Sequence, residues 1–144
     1  MWAISTNVAR NKINDNKIQF TGVNTNIDRI TLTPNNTTLF LPLNEDWIIE
    51  FDSKMDNLLA FYFLQSSSET GAANTSGQIT DFTQEYHVKF IYSSTNKKIY
   101  YYLDDNLKNT LDTANFNNDM GFRVVDWQGD VNMFITNLKI YLTS

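Results

Sequence analysis

The sequence predicts an all-β fold of antiparallel strands, a β-sandwich or a barrel, in a single domain of residues 1–144. Three observations predict it. Apolar and polar residues alternate along most of the stretch from Tyr86 to Leu142, each apolar run stops at a turn signal, and no segment keeps a 3.6-residue apolar period over three turns. Alternation with period two is typical of half-buried antiparallel strands, and frequent turn signals favour a sandwich or barrel.

Twelve short segments have the composition of strands, with Pro34 and Pro42 between apolar runs, where proline interrupts strand pairing. The small, polar stretch Ser66–Gly77 is predicted to be the longest loop. The predicted strands are Trp2–Thr6, Lys17–Thr21, Ile27–Thr33, Thr37–Leu41, Trp47–Ser53, Leu58–Gln65, Gln78–Phe82, His87–Tyr92, Lys98–Leu103, Leu107–Thr110, Gly121–Trp127 and Val131–Leu142.

One face of each strand should point into the core, and a register error of one residue would reverse any assignment. The residues predicted to point inward are Trp47, Ile49, Phe51, Phe61, Phe63, Val88, Phe90, Ile99, Tyr101, Leu103, Phe122, Val124, Phe134, Leu138, Ile140 and Leu142. A chain of 144 residues can bury such a core without disulfides, and it contains no cysteine.

Composition argues against several classes of function. The net charge is −5 and no basic block exists, so we expect no nucleic-acid partner. No apolar run is long enough to span a bilayer, so we expect no membrane insertion. The first residues lack the apolar segment of a signal peptide. His87 is the single histidine, which disfavours histidine-based metal sites and a Ser-His-Asp triad.

Three segments carry a resemblance to a known superfamily. They are WIIEFDSKMDN at Trp47–Asn57 with the AFYFLQ run after it, the hairpin HVKFIYSSTNKKIYYYLDDNL, and the terminal ITNLKIYL. The chain resembles the concanavalin A-like lectin/glucanase superfamily, over the two thirds from Trp47 to Leu142. In the family's hairpin a glycine usually follows L-D, and Asp105 replaces it here. The resemblance implies a jelly-roll sandwich.

Glucanases of this superfamily carry a strand motif E-x-D-x-x-E, whose paired carboxylates cleave the glycosidic bond. Glu50 and Asp52 match its first two acids, but Met55 stands where the third would be, and Asp56 is one residue late. We therefore interpret Glu50 and Asp52 as two solvated carboxylates on an edge strand, and we expect no enzymatic activity. A catalytic pair and a pair of cation ligands are the alternatives.

A calcium site is a further hypothesis, because calcium takes oxygen ligands and is common in such folds. Asp126, Asp130 and Asn132 bracket a tight turn in VVDWQGDVN. The spacing matches no EF-hand, and acidic turns often only satisfy their own backbone. We expect no other cofactor.

A glycan platform is the predicted functional site. Exposed aromatic faces stack on sugar rings, and neighbouring polar groups bind their hydroxyls. The residues predicted to point outward, and to share one face if their strands share one sheet, are Tyr62, His87, Lys89, Tyr100, Tyr102, Arg123 and Trp127. In jelly rolls that face is the usual glycan platform, so the resemblance implies sugar binding. The alternatives are that the tyrosines have solvated hydroxyl groups and bind no ligand, that Trp127 is buried, or that this face is a protein interface.

The sequence therefore predicts a non-enzymatic module that binds a cell-surface or cell-wall polysaccharide. GFRVVDWQGDVN with the closing NLKIY strand also resembles modules of phage tails, other virion proteins and adhesins. That resemblance implies a virion appendage or an extracellular, cell-surface setting. The alternative is a structural virion domain that contacts copies of itself or other virion proteins.

Overall fold

A computed structural model describes most of the chain. It describes the backbone of residues 2–6, 12–14, 17–22, 28–34, 41–57, 60–65, 68–74, 79–117, 120–126 and 131–143, and the side chains of 41–57, 60–63, 79–117, 120–124 and 131–143. No helix in these ranges is long and apolar enough to cross a membrane.

Twelve strands are found in the described residues. They are β1 (Trp2–Thr6), β2 (Lys12–Asn14), β3 (Lys17–Gly22), β4 (Asp28–Pro34), β5 (Trp47–Met55), β6 (Ala60–Gln65), β7 (Ser68–Asn74), β8 (Tyr86–Ser93), β9 (Lys98–Leu103), β10 (Asn106–Asp112), β11 (Gly121–Asp126) and β12 (Val131–Leu142). The strands form a five-stranded sheet in the order β1-β4-β11-β6-β7 and a seven-stranded sheet in the order β10-β9-β8-β5-β12-β3-β2. Each strand pairing is antiparallel, which confirms the predicted all-β, jelly-roll sandwich.

The core lies between the two sheets and is rich in aromatic rings. Phe61 of β6 packs edge-to-face on Phe90 of β8, with ring centroids 5.6 Å apart, so the two sheets are in direct contact. Phe90 in turn stacks on Tyr101 of β9 at 5.0 Å. Aromatic pairs in these geometries add stabilisation beyond their buried area. Every residue predicted to point inward on β5, β6, β8, β9 and β11 is buried.

The last strand departs from the prediction because it contains a β-bulge. Val131, Met133 and Ile135 are the buried residues of its first half, so Phe134 points outward and not into the core. A register shift between Thr136 and Lys139 then inserts one extra residue. The insertion reverses the face, since side chains alternate along a strand.

After the bulge, Leu138 and Ile140 pack against the core as predicted. Leu142 was predicted to point inward, but 52% of its surface is exposed. It lies at the end of the last strand.

Two local predictions were wrong. Ser68–Asn74, inside the predicted loop Ser66–Gly77, forms β7 and pairs with β6 at one edge of the five-stranded sheet. A ladder of backbone hydrogen bonds does not require β-forming side chains, so composition missed this strand. Conversely, Ile79–Phe82, predicted as part of a strand, is not one, although Ile79 is buried. Asp81 accepts hydrogen bonds from the backbone N and Oγ1 of Thr83 and forms a turn there.

Two further differences concern the N-terminal part of the chain. Lys12–Asn14 forms the short strand β2, which was not predicted. Of the predicted strand Thr37–Leu41, only Leu41 is described, in an isolated bridge with Met120.

Candidate functional site

The residues predicted to form one glycan platform lie on two different sheets. Tyr62 of β6 and Arg123 of β11 are directly opposite each other in the five-stranded sheet. His87 and Lys89 of β8, with the tyrosines of β9, belong to the seven-stranded sheet. The outer faces of a sandwich point in opposite directions, so the prediction that these residues share one face was wrong. Alternation along a strand determines which residues point outward, but not to which sheet the strand belongs.

Two of the other predicted site residues lie outside the described residues. They are Trp127 and Asp130, and only the backbone of Asp126 is described. The predicted calcium site therefore stays a prediction. Its third residue, Asn132, donates from its backbone N and Nδ2 to the two carboxylate oxygens of Asp56, at 2.6 and 3.1 Å.

The outer face of the seven-stranded sheet carries the larger group of the predicted site residues, together with residues that were not predicted to belong to the site. We call it the seven-strand face. Its central strand is β5, so Glu50 and Asp52 lie at the middle of the sheet and not on an edge strand, as had been predicted. Among the residues that point outward from the four strands β9, β8, β5 and β12 are Tyr100, Tyr102, His87, Lys89, Ile91, Ile48, Glu50, Asp52, Lys139 and Tyr141.

These side chains form rows that run across the strands. Residues directly opposite each other on paired strands have neighbouring side chains on the same face. One row, the apolar row, consists of Tyr141, Ile48, Ile91 and Tyr100. The next row, the charged row, consists of Lys139, Glu50, Lys89 and Tyr102.

A hydrogen-bonded cluster lies beside these rows. Nδ1 of His87 is 2.8 Å from Oδ1 of Asp52, and the side-chain amide of Asn137 donates to Oδ2 of the same carboxylate at 2.9 Å. Nε2 of His87 is 3.5 Å from Oε1 of Glu50. The hydroxyl of Tyr141 donates to the other Glu50 oxygen at 2.6 Å. This group of side chains, the His87 cluster, therefore connects β5, β8 and β12.

The electrostatics of the cluster follow from these contacts. The hydrogen bond from Asn137, followed by that from His87, lowers the pKa of Asp52 below its usual value. The hydrogen bond to Glu50 raises the pKa of the Tyr141 phenol, because the carboxylate stabilises the protonated hydroxyl. The side chains of Glu50 and Asp52 are only 16% and 27% exposed. Both carboxylates are thus half-buried acceptors that remain within reach of a ligand.

The bulge in β12 creates this arrangement, because alternation continued from Val131, Met133 and Ile135 would place Lys139 and Tyr141 inward. Asn137 has a φ of 55°, in the left-handed region that asparagine tolerates better than most residues. The extra residue turns Lys139 and Tyr141 outward, beside Glu50 and Ile48. Asn137 and Tyr141 were missing from the predicted site. The available sequence signal for the bulge was an Asn within an alternating strand.

The acid motif of the glucanases is not completed here. The third position is Met55, a buried core residue. Asp56 accepts hydrogen bonds from Asn132 at the end of β5 and does not join the other two acids. Within the described part of the chain, no group of three or more His, Asp or Glu side chains is placed to hold a metal ion. The face offers hydrogen-bond donors and acceptors next to the exposed ring of Tyr141 and the half-buried rings of Tyr100 and Tyr102.

No protein-family model matches the sequence, and no curated protein matches it. Solved structures do match. A sialidase matches with a TM-score of 0.70 and 14% identity over 99% of this chain, which spans 17% of the sialidase. The alginate lyase from Corynebacterium sp. matches with a TM-score of 0.69 and 11% identity, over 94% of this chain and 82% of the lyase.

A third match is a structure of botulinum neurotoxin type C. The cell entry of that toxin is described as dependent on interaction with two ganglioside molecules. The match has a TM-score of 0.60 and 11% identity, over 97% of this chain and 43% of the toxin chain. At such identities the likeness concerns the fold alone. Both binding proteins and enzymes thus share the jelly-roll sandwich fold of this chain.

Proposed function

We propose that this chain is a non-enzymatic carbohydrate-binding module and that the seven-strand face is its binding surface. The observation that carries the proposal is the apolar row, with a tyrosine at each end, directly beside the charged row and the His87 cluster. Sugars present apolar ring faces and a rim of hydroxyl groups. A surface that combines aromatic rings with donors and acceptors is complementary to both.

The neighbours in fold are consistent with this proposal. One is the toxin whose cell entry depends on gangliosides, and two others are a sialidase and an alginate lyase. Because enzymes are among them, the absence of catalysis is part of the proposal. Its support is that Met55, a buried core residue, stands at the third position of the glucanase acid motif.

The ligand that we propose is a cell-surface or cell-wall polysaccharide, in the setting of a virion appendage or an adhesin. A shallow face gives weak binding at a single site. A millimolar Kd corresponds to a binding free energy of about −4 kcal/mol. Display in many copies would then raise the avidity by roughly 10²–10⁴. The predicted Trp127, which follows β11 in the sequence, remains part of this hypothesis through its sequence position alone.

The test is binding to a glycan array and to intact microbial cell walls. We expect Tyr100→Ala and Tyr141→Ala each to weaken binding about tenfold, while Tyr62→Ala on the opposite sheet leaves it unchanged. A loss of binding in Tyr62→Ala alone would move the site to the other sheet. Incubation of the bound polysaccharide with the protein should produce no shorter fragments, and fragments that disappear with Glu50→Gln would make the chain an enzyme.

A second candidate function is a structural domain whose seven-strand face packs on a protein. Tyr141 near the end of β12 is 42% exposed, and Leu107 on β10 is 54% exposed. Large exposed apolar side chains are typical of interfaces. Sedimentation of the purified chain would support this candidate if it gave an oligomer that Tyr141→Ala dissociates.

A further inference from the structure

The apolar row crosses the strands at right angles and includes one residue from each of four adjacent strands. From β12 to β9 it contains Tyr141, Ile48, Ile91 and Tyr100, each directly opposite the next. Neighbouring strands lie about 4.8 Å apart, so the two tyrosine positions are separated by about 14 Å. This length exceeds that of one sugar.

The spacing of the row matches the repeat of an extended polysaccharide. Each pyranose unit lengthens such a chain by about 5 Å, close to the distance between adjacent strands. Successive rings can therefore lie over successive strands along the row. A polysaccharide with sharp turns or frequent branches would lose this match after one unit.

Both end tyrosines are held in place by their hydroxyl groups. The hydroxyl of Tyr141 donates to Glu50 at 2.6 Å, and Nδ2 of Asn96 donates to the hydroxyl of Tyr100 at 3.3 Å. These bonds restrict the rotation of the two rings before any ligand arrives, and such preorganisation lowers the entropy cost of binding. The two half-buried isoleucines between them provide an aliphatic surface.

The charged row lies one pleat away and follows the same direction. It alternates Lys139, Glu50 and Lys89 on successive strands, with Tyr102 at its end. Lysine only donates hydrogen bonds and an ionised carboxylate only accepts them. Hydroxyl groups do both, so the hydroxyls along one side of a sugar chain can satisfy each position in turn.

The apolar row is open at its β9 end. Beyond Tyr100 it meets Thr110 of β10, whose side chain is exposed. A long chain can therefore continue beyond Tyr100, where a site for a chain end would need a closed wall.

We propose that the seven-strand face binds the interior of an unbranched polysaccharide, with three to four consecutive sugar units between Tyr100 and Tyr141. The sugar chain runs across the strands, and no terminal sugar is required. This inference rests on the proposed carbohydrate-binding function and names the class of polysaccharide that the face recognises.

The experiment uses a series of oligosaccharides, from one to eight units, prepared from the polysaccharide that the protein binds on the array. Competition against that polysaccharide should strengthen up to about four units and then level off. The tetramer should bind at least tenfold more tightly than the dimer. Blocking the non-reducing end of the tetramer should change its affinity less than twofold.

Variants at the two ends of the row test the direction of the chain. Tyr141→Ala and Tyr100→Ala should each weaken the tetramer about tenfold and the dimer about twofold, because a dimer can use the end that remains. Tyr62→Ala is the matched control, and Tyr141→Phe keeps the ring if Tyr141→Ala fails to fold. Thermal unfolding and circular dichroism check that each variant is folded.

The outcomes separate this inference from the proposed function. If a monosaccharide or a terminal disaccharide competes as well as the tetramer, the protein binds a chain end, and the inference fails while the carbohydrate-binding function stands. If no polysaccharide or cell wall binds, both fail. If length dependence is seen but both tyrosine variants bind normally, the sugar chain lies elsewhere and the inference is overturned.

Discussion

Nδ1 of His87 lies 2.8 Å from Oδ1 of Asp52, and the two residues are directly opposite each other on the paired strands β8 and β5. Because an ionised carboxylate only accepts hydrogen bonds, Nδ1 carries the proton and donates. Nε2 then points toward Glu50, 3.5 Å away. One imidazole thus lies between two carboxylates at the centre of the seven-strand face, and its orientation is set by Asp52.

The first prediction concerns the acid stability that Asp52 contributes. Its pKa in the folded state is below the ordinary value of 3.8, because Asn137 and His87 hydrogen-bond to the ionised form. The unfolded chain therefore binds more protons as the pH falls, and the contribution of Asp52 to stability is present above pH 3.8 and lost as the pH falls through the lowered pKa. NMR titration of the Asp52 carboxyl carbon should give this lowered value.

Removal of the largest cause should reverse the shift. In Asn137→Gly the pKa of Asp52 should move up toward 3.8, and the acid unfolding midpoint should rise with it. Asp81, whose pKa is lowered by the side-chain and backbone hydrogen bonds of Thr83, is the internal control and should not move. An unchanged Asp52 pKa in this variant would show that the amide of Asn137 does not reach the carboxylate in solution.

The second prediction concerns the bulge itself. At a φ of 55°, alanine at position 137 meets a steric penalty that glycine avoids, so Asn137→Ala should be about 1 kcal/mol less stable than Asn137→Gly. Both variants lose the bond to Asp52, and their difference isolates the backbone. Lys139, two residues later in extended backbone, is the matched position. There Lys139→Ala should be more stable than Lys139→Gly, the reverse of the order at position 137. Urea unfolding measures all four variants, and alanine equal to glycine at 137 would argue against the bulge.

The sequence was sufficient to predict which residues of the central strands point inward, because burial on one face imposes the alternation. Phe51, Phe61, Phe90 and Phe122 followed from this rule, and all are buried. The same rule failed at Phe134, because the bulge at Asn137 changes the phase inside one strand. A pattern that is apolar on both sides of a bulge does not reveal where the phase changes.

The candidate site was predictable only in part. His87, Lys89, Tyr100 and Tyr102 were expected on one face and lie on it. Tyr62 and Arg123 do not, since assignment of β6 and β11 to the other sheet depends on long-range pairing that the sequence pattern does not encode. Tyr141 was missed for the same reason, because its neighbours come from β5, more than ninety residues earlier in the chain.

The third prediction concerns the two-residue turn between β9 and β10. Asp104 and Asp105 have φ angles of 48° and 66°, the geometry of a type I′ hairpin, which favours glycine at its second position. Asp105→Gly should therefore raise stability by about 1 kcal/mol, since the exposed contact of Asp105 with Lys89 contributes little.

Asp104→Gly is the matched control for this turn. The Asp104 carboxylate accepts a hydrogen bond from the backbone N of His87 at 2.8 Å, and its own N donates to the His87 carbonyl at 2.9 Å. Glycine at 104 relieves the backbone but removes the first of these bonds, so it should stabilise less than Asp105→Gly, or not at all. Equal thermal stabilisation by the two variants would mean that the carboxylate contributes nothing.

The fourth prediction compares two buried tyrosines that differ in one hydrogen bond. The hydroxyl of Tyr92 donates to the carbonyl of Leu43 at 2.8 Å, whereas that of Tyr101 has no hydrogen-bond partner among the described residues. The Tyr101 hydroxyl is buried, and this burial raises the pKa of the phenol. A buried hydroxyl without a partner costs about 1–3 kcal/mol, and a satisfied one contributes about 1 kcal/mol.

Tyr101→Phe should therefore stabilise the protein by about 1 kcal/mol, and Tyr92→Phe should destabilise it by about the same amount. Both substitutions keep the aromatic ring, so the stacking of position 101 on Phe90 and of position 92 on Trp47 is retained. Urea unfolding with equal m-values would attribute the difference to the hydroxyls alone. If Tyr101→Phe is destabilising, the hydroxyl is satisfied in solution by an internal water, because removing a hydroxyl lowers stability only when that hydroxyl makes a hydrogen bond.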